Sequence, residues 1–209
     1  MSSRTTNSLI FAALLAASCS LFEPVPRRIP VHHYLGDARD LFVVRRVIVL
    51  PFFGREVDPS YLAALRESFV AELHRSQRFR VVPLETMTQE DIALYDSEKR
   101  GLIASKNLVE LGAQYQVDGI VLVRVTSFRP WMPPSLGLYA SLVSVHSGEP
   151  VWVVDETFDS SIEAVRLDAL HYYRHELAKD ESLHGPEMMQ LSPRRYGAYV
   201  CARIVGTLE

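Results

Sequence analysis

The sequence predicts an α/β sandwich of two or three layers, built on a mixed β-sheet and finished by C-terminal helices. Three observations carry this. Apolar, β-branched runs at residues 47–50 and 120–125 have the composition of strands buried on both faces. An amphipathic helical stripe follows the first of them, the pattern of parallel strands joined by crossover helices. Near the middle of the chain, two further strands meet across a short turn containing Gly148, so the far side of the sheet is antiparallel. The expected element order is βαβαβββαα.

Arg4 is the only charge before Glu23, and Leu9 to Ala17 is an apolar run. A short basic region followed by roughly 7–15 apolar residues describes a secretory signal peptide. Crossing a bilayer takes about 20 apolar residues, more than this run offers. Ala16-Ala17-Ser18-Cys19 resembles the lipobox of bacterial lipoproteins, although Leu15 stands one position earlier than the usual leucine. That likeness implies cleavage before Cys19, a diacylglycerol thioether on its sulfur and acyl chains such as palmitate. Ser20 after the cysteine resembles an outer-membrane address. Two other readings stay open: ordinary cleavage after Ala17 with release of a secreted protein, and a buried helix of a cytosolic domain. Pro24, Pro26 and Pro30 make the next stretch an extended tether; Arg27-Arg28 along it read as solvated or as touching anionic headgroups, and His32-His33 as an exposed polar stretch or a metal-binding pair.

The first strand lies within 43–52. Asp58-Pro59 places a capping residue before proline at the first helical position, and Leu62, Leu65, Phe69 and Leu73 form the buried stripe of the helix that follows. A second strand is expected at 79–84. Thr88-Gln89-Glu90-Asp91 resembles a capping box opening a mostly helical region that runs to about Gln116. Strands follow at 120–125, 136–145 and 151–158, with residues 128–134 read as a proline-stiffened loop. Residues 162–177 read as a helix with Ile162, Val165, Leu170, Tyr173 and Leu177 as candidate apolar positions, and Ser192-Pro193 caps the last helix. The expected divisions are a signal peptide at 1–18, lipidated cysteine and tether at 19–42, an α/β domain at 43–160 and a helical extension at 161–209.

Composition narrows the function. A hydrophobic content of 48% with 22% charged residues belongs to globular chains. The net charge of −3 lacks the basic excess that nucleic-acid binding needs. Only two cysteines occur, so lipidation of Cys19 leaves Cys201 as a buried thiol without a disulfide partner.

Several local motifs together resemble one family. They are Leu50-Pro51-Phe52 at a strand end, Gln77-Arg78-Phe79-Arg80-Val81-Val82, Leu111-Gly112, Val117-Asp118-Gly119-Ile120-Val121, and a hairpin ending Gly148-Glu149-Pro150-Val151-Trp152. Over about residues 43–160 the chain resembles the superfamily that contains the curli secretion lipoprotein CsgG, the N-terminal domain of TolB, the peptidoglycan-synthase activator LpoB and the exopolysaccharide-export lipoprotein PelC. The resemblance implies a periplasmic, membrane-anchored scaffold that forms rings at the outer membrane or docks on other envelope proteins. No additional pair of roughly 10-residue alternating strands is present to add a transmembrane barrel of the CsgG kind, so a module without its own pore is expected.

Catalytic motifs are missing: there is no phosphate loop, Gly-x-Ser-x-Gly, Cys-x-x-Cys or His-Glu-x-x-His. We therefore expect no enzyme and no cofactor. His171 and His175, at i and i+4, are the one pair able to share a metal, with His184 as a guessed third ligand; interface or solvated histidines are the alternative. Phe128, Trp131 and Met132 form the better functional candidate, a loop that enters a membrane interface or a partner's pocket, or else folds back over the core. Three functions compete: a self-associating assembly or export accessory, a regulatory module docking on an envelope enzyme or transporter, and a metal-dependent hydrolase. A tether of about twelve residues, at roughly 3 Å each, favours action close to the anchoring membrane.

The anchor has a direct test. Cys19→Ala should move the protein from the membrane fraction to the soluble fraction; unchanged retention on membranes would overturn the lipoprotein reading.

Overall fold

A computed structural model describes residues 28–84, 105–177 and 192–208, with the side chains of 105–108, 176 and 177 left aside. The expected signal peptide, Cys19, the capping box at Thr88 and His184 lie outside the described residues. Seven strands, β1 (His33–Leu35), β2 (Arg46–Val49), β3 (Phe53–Gly54), β4 (Arg80–Val81), β5 (Gly119–Arg129), β6 (Ser135–Ser144) and β7 (Pro150–Asp159), form one open sheet. The helices are α1 (Ala38–Val43), α2 (Pro59–Arg75), α3 (Ser105–Tyr115), α4 (Glu163–Tyr172) and α5 (Pro193–Val205).

The strands run in the order β1-β7-β6-β5-β2-β4, and β3 follows β2 along the same edge of β5. The pairs β4–β2, β2–β5 and β3–β5 are parallel, whereas β5–β6, β6–β7 and β7–β1 are antiparallel. The mixed sheet is thus the one the sequence predicts. Alternation along β2 divides the interior. Val47 and Val49 face a large core with Leu65, Phe69 and Leu73 of α2 and Tyr199, Val200 and Ile204 of α5; Ile48 and Leu50 face a smaller core with Leu111 of α3. At β2 the molecule is therefore three layers thick. Each fully buried side chain of this kind contributes about 1.5–3 kcal/mol.

Local chemistry sets the elements. The Asp58 carboxylate accepts from the amides of Ser60 at 2.8 Å and Tyr61 at 3.3 Å, closing the N-terminus of α2 ahead of Pro59. The Asp118 carboxylate accepts from the amides of Arg45 at 3.1 Å and Arg46 at 2.9 Å, tying the start of β2 to β5. A Cβ at Gly112 would collide with the Val145 side chain, so glycine is what lets α3 lie against the β6–β7 hairpin. Trp152 is buried, and its indole N–H donates to Thr207 Oγ1 at 2.9 Å.

Several expectations need correction. Residues 33–42, read as part of the tether, already supply β1 and all of α1 but Val43, which was read as strand; β1 pairs with β7, and Leu41 is buried in the large core. Phe128 and Arg129, read as loop, complete β5. Residues 161–209, read as an extension, put Val165, Tyr172, Tyr199 and Ile204 into the same core as the sheet. Ile162, read as an apolar position, is exposed, whereas Val165 and Tyr173 are buried as read; the buried face of α4 also carries Asp168, Ala169 and Tyr172.

The reason an aspartate stands on that face is electrostatic. Arg203 of α5 donates to both oxygens of Asp168, from Nε at 2.8 Å and Nη2 at 3.0 Å, and both residues are buried. The guanidinium lies 5.3 Å from the ring centroids of both Tyr172 and Tyr199. The Tyr199 hydroxyl donates to Asp168 at 2.9 Å; burial, and then the Asp168 charge, push its pKa up and keep it a neutral donor. Tyr172 donates to Glu72 at 3.3 Å, and Glu72 holds Arg75, so the network joins α2, α4 and α5.

Removing one partner of a buried pair costs about 3–5 kcal/mol, because the other charge is stranded. Asp168→Ala should lose stability of that order in urea denaturation, and Asp168→Leu with Arg203→Met should recover most of it. A single-variant loss of less than about 1 kcal/mol would count against the network as the tie between the helices.

Candidate functional site

The turn between β5 and β6 is assembled from both strands and two helices. Arg129, the last residue of β5, donates from Nε to Pro133 O at 2.8 Å and from Nη2 to Asp159 Oδ1 at 2.8 Å. The turn is thereby clamped to the end of β7. Ser160 N donates to Pro134 O at 3.0 Å on the same side. Phe128 is half-buried, its ring centroid 4.6 Å from that of Tyr61 in α2. The Tyr61 hydroxyl donates to Pro193 O at 3.3 Å, and burial pushes its pKa up, so it stays a neutral donor.

Above this base stand Trp131 and Met132, 74% and 58% exposed. The three residues singled out in the sequence therefore divide: Phe128 holds the base, and Trp131 with Met132 forms an apolar tip. The fold-back of Trp131 over the core does not occur. A single exposed apolar residue is ordinary; here a large aromatic and a methionine stand adjacent and exposed on a clamped turn.

His171 and His175 come together as the sequence spacing requires, with ring centroids 4.3 Å apart and planes at 43°. Among the described residues, no group of three or more His, Cys, Asp or Glu side chains is placed to hold a metal. Cys201 is fully buried with its thiol 3.7 Å from Leu65 O, and burial drives its pKa well above the usual thiol range. His32 is exposed beside Glu156, and His33 sits in β1. An open groove of about 580 Å³ is lined by Tyr34, Asp37, Asp40, Val43 and Glu149, and a smaller cavity of about 160 Å³ by Arg28, Glu72, Arg75 and Arg203. Neither includes Trp131 or the His171–His175 pair.

Sequence reasoning missed the Arg129–Asp159 clamp, whose partners are thirty residues apart. It also missed Asp168 and Arg203. For Arg203 a signal existed: one charge inside the apolar run from Tyr199 to Val205, four residues after Tyr199, implies a buried partner.

No family model matches the chain, and a search of curated sequences finds no relative. Solved structures of similar shape include the lipoprotein GNA1162 from Neisseria meningitidis, 13% identical, covering 64% of this chain and 99% of that one with a TM-score of 0.40. The PelC dodecamer from Paraburkholderia phytofirmans is 14% identical, covers 66% and 88%, and has a TM-score of 0.41. The LpoB C-terminal domain from Salmonella enterica is 12% identical, covers 55% and 82%, and has a TM-score of 0.37. PelC and LpoB are two of the proteins named in the sequence resemblance; none of these three is CsgG or TolB.

The clamp has a pH signature. Partial burial of Asp159 works to raise its pKa, but bonds from Ser161 and then the Arg129 guanidinium outweigh it and hold the carboxyl below the ordinary range. The contribution is therefore fully present above the unfolded aspartate value, about 3.9, and is lost as pH falls through the lowered folded value. In a Trp152→Phe background, Trp131 fluorescence anisotropy should hold steady down to about pH 4 and drop below it. With Arg129→Met, the drop should begin at higher pH. Identical profiles for the two proteins would sink the clamp.

Proposed function

We propose that this chain is a non-catalytic cell-envelope lipoprotein, held through Cys19 at the periplasmic face of the outer membrane. It acts as an assembly or export accessory that self-associates. The observation that carries this reading is the Trp131–Met132 tip, an exposed apolar contact on a rigid base. Aromatic residues set out in this way supply the anchors of protein interfaces.

The tip and the start of the described chain lie toward opposite ends of α2. Tyr61, beside the tip, begins α2, and Arg75, beside Arg28, ends it. These positions are fourteen residues apart on one helix, which at 1.5 Å per residue is about 21 Å. Nine tether residues at roughly 3 Å each reach about 27 Å, enough for the tip to meet either a partner or the anchoring membrane.

Among the described residues, no helix is long and apolar enough to cross a membrane. The regulatory alternative, docking on an envelope enzyme or transporter, would use the same tip with a different partner.

Detergent-solubilised full-length protein should be larger than a monomer by light scattering. Trp131→Ala should weaken that association by a factor of about 30 or more, the effect of losing a hot-spot side chain worth at least about 2 kcal/mol. A strict monomer, recovered with no envelope partner, would overturn the reading.

A further inference from the structure

Arginines gather at the corner where α2 ends and β2 and β4 begin. Arg46 and Arg80 are register partners on neighbouring parallel strands, on the face of the sheet that carries Ile48 and Val82. Arg80 N donates to Arg45 O at 2.8 Å, which places Arg45 beside them. Arg78 follows the end of α2 and donates from Nη1 to Leu208 O at 2.7 Å. Arg45, Arg78 and Arg80 are exposed, and Arg46 is half-buried. Among the described residues none of these side chains is in a salt bridge, and the buried Nε of Arg46 has no hydrogen-bond partner. Asp118, bound to the amides of Arg45 and Arg46, offsets one of the charges. Like charges directly opposite on paired strands destabilise a sheet, and an anion from outside the chain relieves them.

The chain as a whole carries a net charge of −3, so these cations are segregated rather than general. Asp37, Asp40 and Glu149 line the open groove beside β1, at the other edge of the sheet. The strand spacings between the two edges, about 4.8 Å each, sum to roughly 24 Å, well beyond a Debye length of about 8 Å. Phe42 is 68% exposed, and the Arg45 guanidinium lies 4.6 Å from its ring centroid. Cations beside an exposed apolar ring match a lipid surface, whose anionic headgroups overlie hydrocarbon. The path of the chain points the same way. Arg28, where the described chain begins, lines a cavity with Arg75, Ser76 and Gly206, against the C-terminal ends of α2 and α5. Cys19 lies nine residues earlier, within about 27 Å of extended chain. A bilayer that holds Cys19 is therefore always within reach of the corner, at high effective concentration.

We propose that Arg45, Arg46, Arg78 and Arg80, with Phe42, form a docking face for the anionic phospholipid headgroups of the anchoring membrane. The inference rests on the reading of Cys19 as a lipid anchor and adds an electrostatic attachment beside it. Each arginine near an anionic surface strengthens binding about fivefold, so the set gives a partition constant on the order of 10³ M⁻¹. That is too weak to carry an unlipidated protein through fractionation, and enough to orient an anchored domain. Docked by this corner, the domain leans on its β4 edge and holds the acidic groove off the headgroups. The Trp131 turn, beside the far end of α2, then stands away from the bilayer.

The test is co-sedimentation of full-length Cys19→Ala protein with vesicles of phosphatidylcholine alone and of equal parts phosphatidylcholine and phosphatidylglycerol. Residues 9–17 are apolar and can enter either bilayer, so the readout is the difference between the two lipids. Binding should be stronger to the anionic vesicles at millimolar lipid. It should fall to the neutral-vesicle value at about 1 M salt, where the Debye length is about 3 Å. Arg45→Gln/Arg80→Gln should lower the anionic component at least about tenfold, whereas Arg55→Gln/Arg194→Gln, which removes as much charge elsewhere, should leave it unchanged. All of these residues are exposed; should the first double variant fail to fold, Arg80→Gln alone should lower binding about fivefold. Equal binding to both vesicles, or equal loss in both double variants, would overturn the proposal. So would anionic binding undiminished by Arg45→Gln/Arg80→Gln, including the case in which that variant weakens self-association instead and the corner meets a second copy. Because the protein tested has no lipid, failure here leaves the lipidation of Cys19 to be decided by membrane fractionation.

Discussion

The helical layer over the large core depends on one buried ion pair. Asp168 and Arg203 are each almost without solvent contact, and neither charge could stay in that core alone. Because the carboxylate comes from α4 and the guanidinium from α5, satisfying them fixes how the two helices meet. The rings of Tyr172 and Tyr199 flank the guanidinium, and Tyr172 continues the network to Glu72 on α2. Three helices that share only apolar surface could slide against one another; two joined by a bidentate pair, with the third tied on by the Tyr172–Glu72 bond, have one register. The pair's worth is therefore in specifying an arrangement, since well-packed apolar residues of similar volume could match its stability.

That arrangement reaches the tip through α5. Tyr196, one turn before Arg203's neighbour Tyr199, donates its hydroxyl to Phe158 O at 3.0 Å near the end of β7, and its pKa is pushed up by burial. Asp159, the next residue, holds Arg129. Pro193 at the start of α5 accepts from Tyr61, which carries Phe128. The base of the tip is thus attached at several points to the face that the buried pair organises.

Features that depend on local chemistry were legible in the sequence. Asp58-Pro59 and Ser192-Pro193 cap helices as read, the Ser192 hydroxyl accepting from Arg195 N at 3.4 Å. The doubly buried strands and the hairpin follow from composition and turn residues. Helix ends were harder, because α2 and α3 stop on Gln77 and Gln116 with φ of 53° and 51°, where a glycine would have marked the left-handed turn. β1 is three residues long and exposed throughout, so it leaves no alternation to detect. The inward face of α4 was hidden for a different reason: its central residue is an aspartate, and hydrophobic periodicity assigns charges to solvent. At the tip, composition marked the turn but began it two residues early, at Phe128, and whether Trp131 turned inward or outward depended on the distant contact between Arg129 and Asp159.

Two bonds from the Arg129 guanidinium hold the turn, while its most apolar residues contribute nothing to the core. Phe128 performs the packing that a turn of this kind needs, so Trp131 and Met132 could be polar at no cost to folding. Exposed apolar surface is instead a liability in an uncomplexed protein. A flexible loop would also have to lose conformational freedom on contact, and each rotamer-rich side chain immobilised at an interface costs about 0.5–1.5 kcal/mol. Ordering the turn during folding removes part of that cost beforehand. An aromatic and a thioether, set on a preordered base and displaced along α2 from the end where Arg28 joins the helices, have the form of an anchor for another surface. That combination, more than any single residue, is what the proposed contact role rests on.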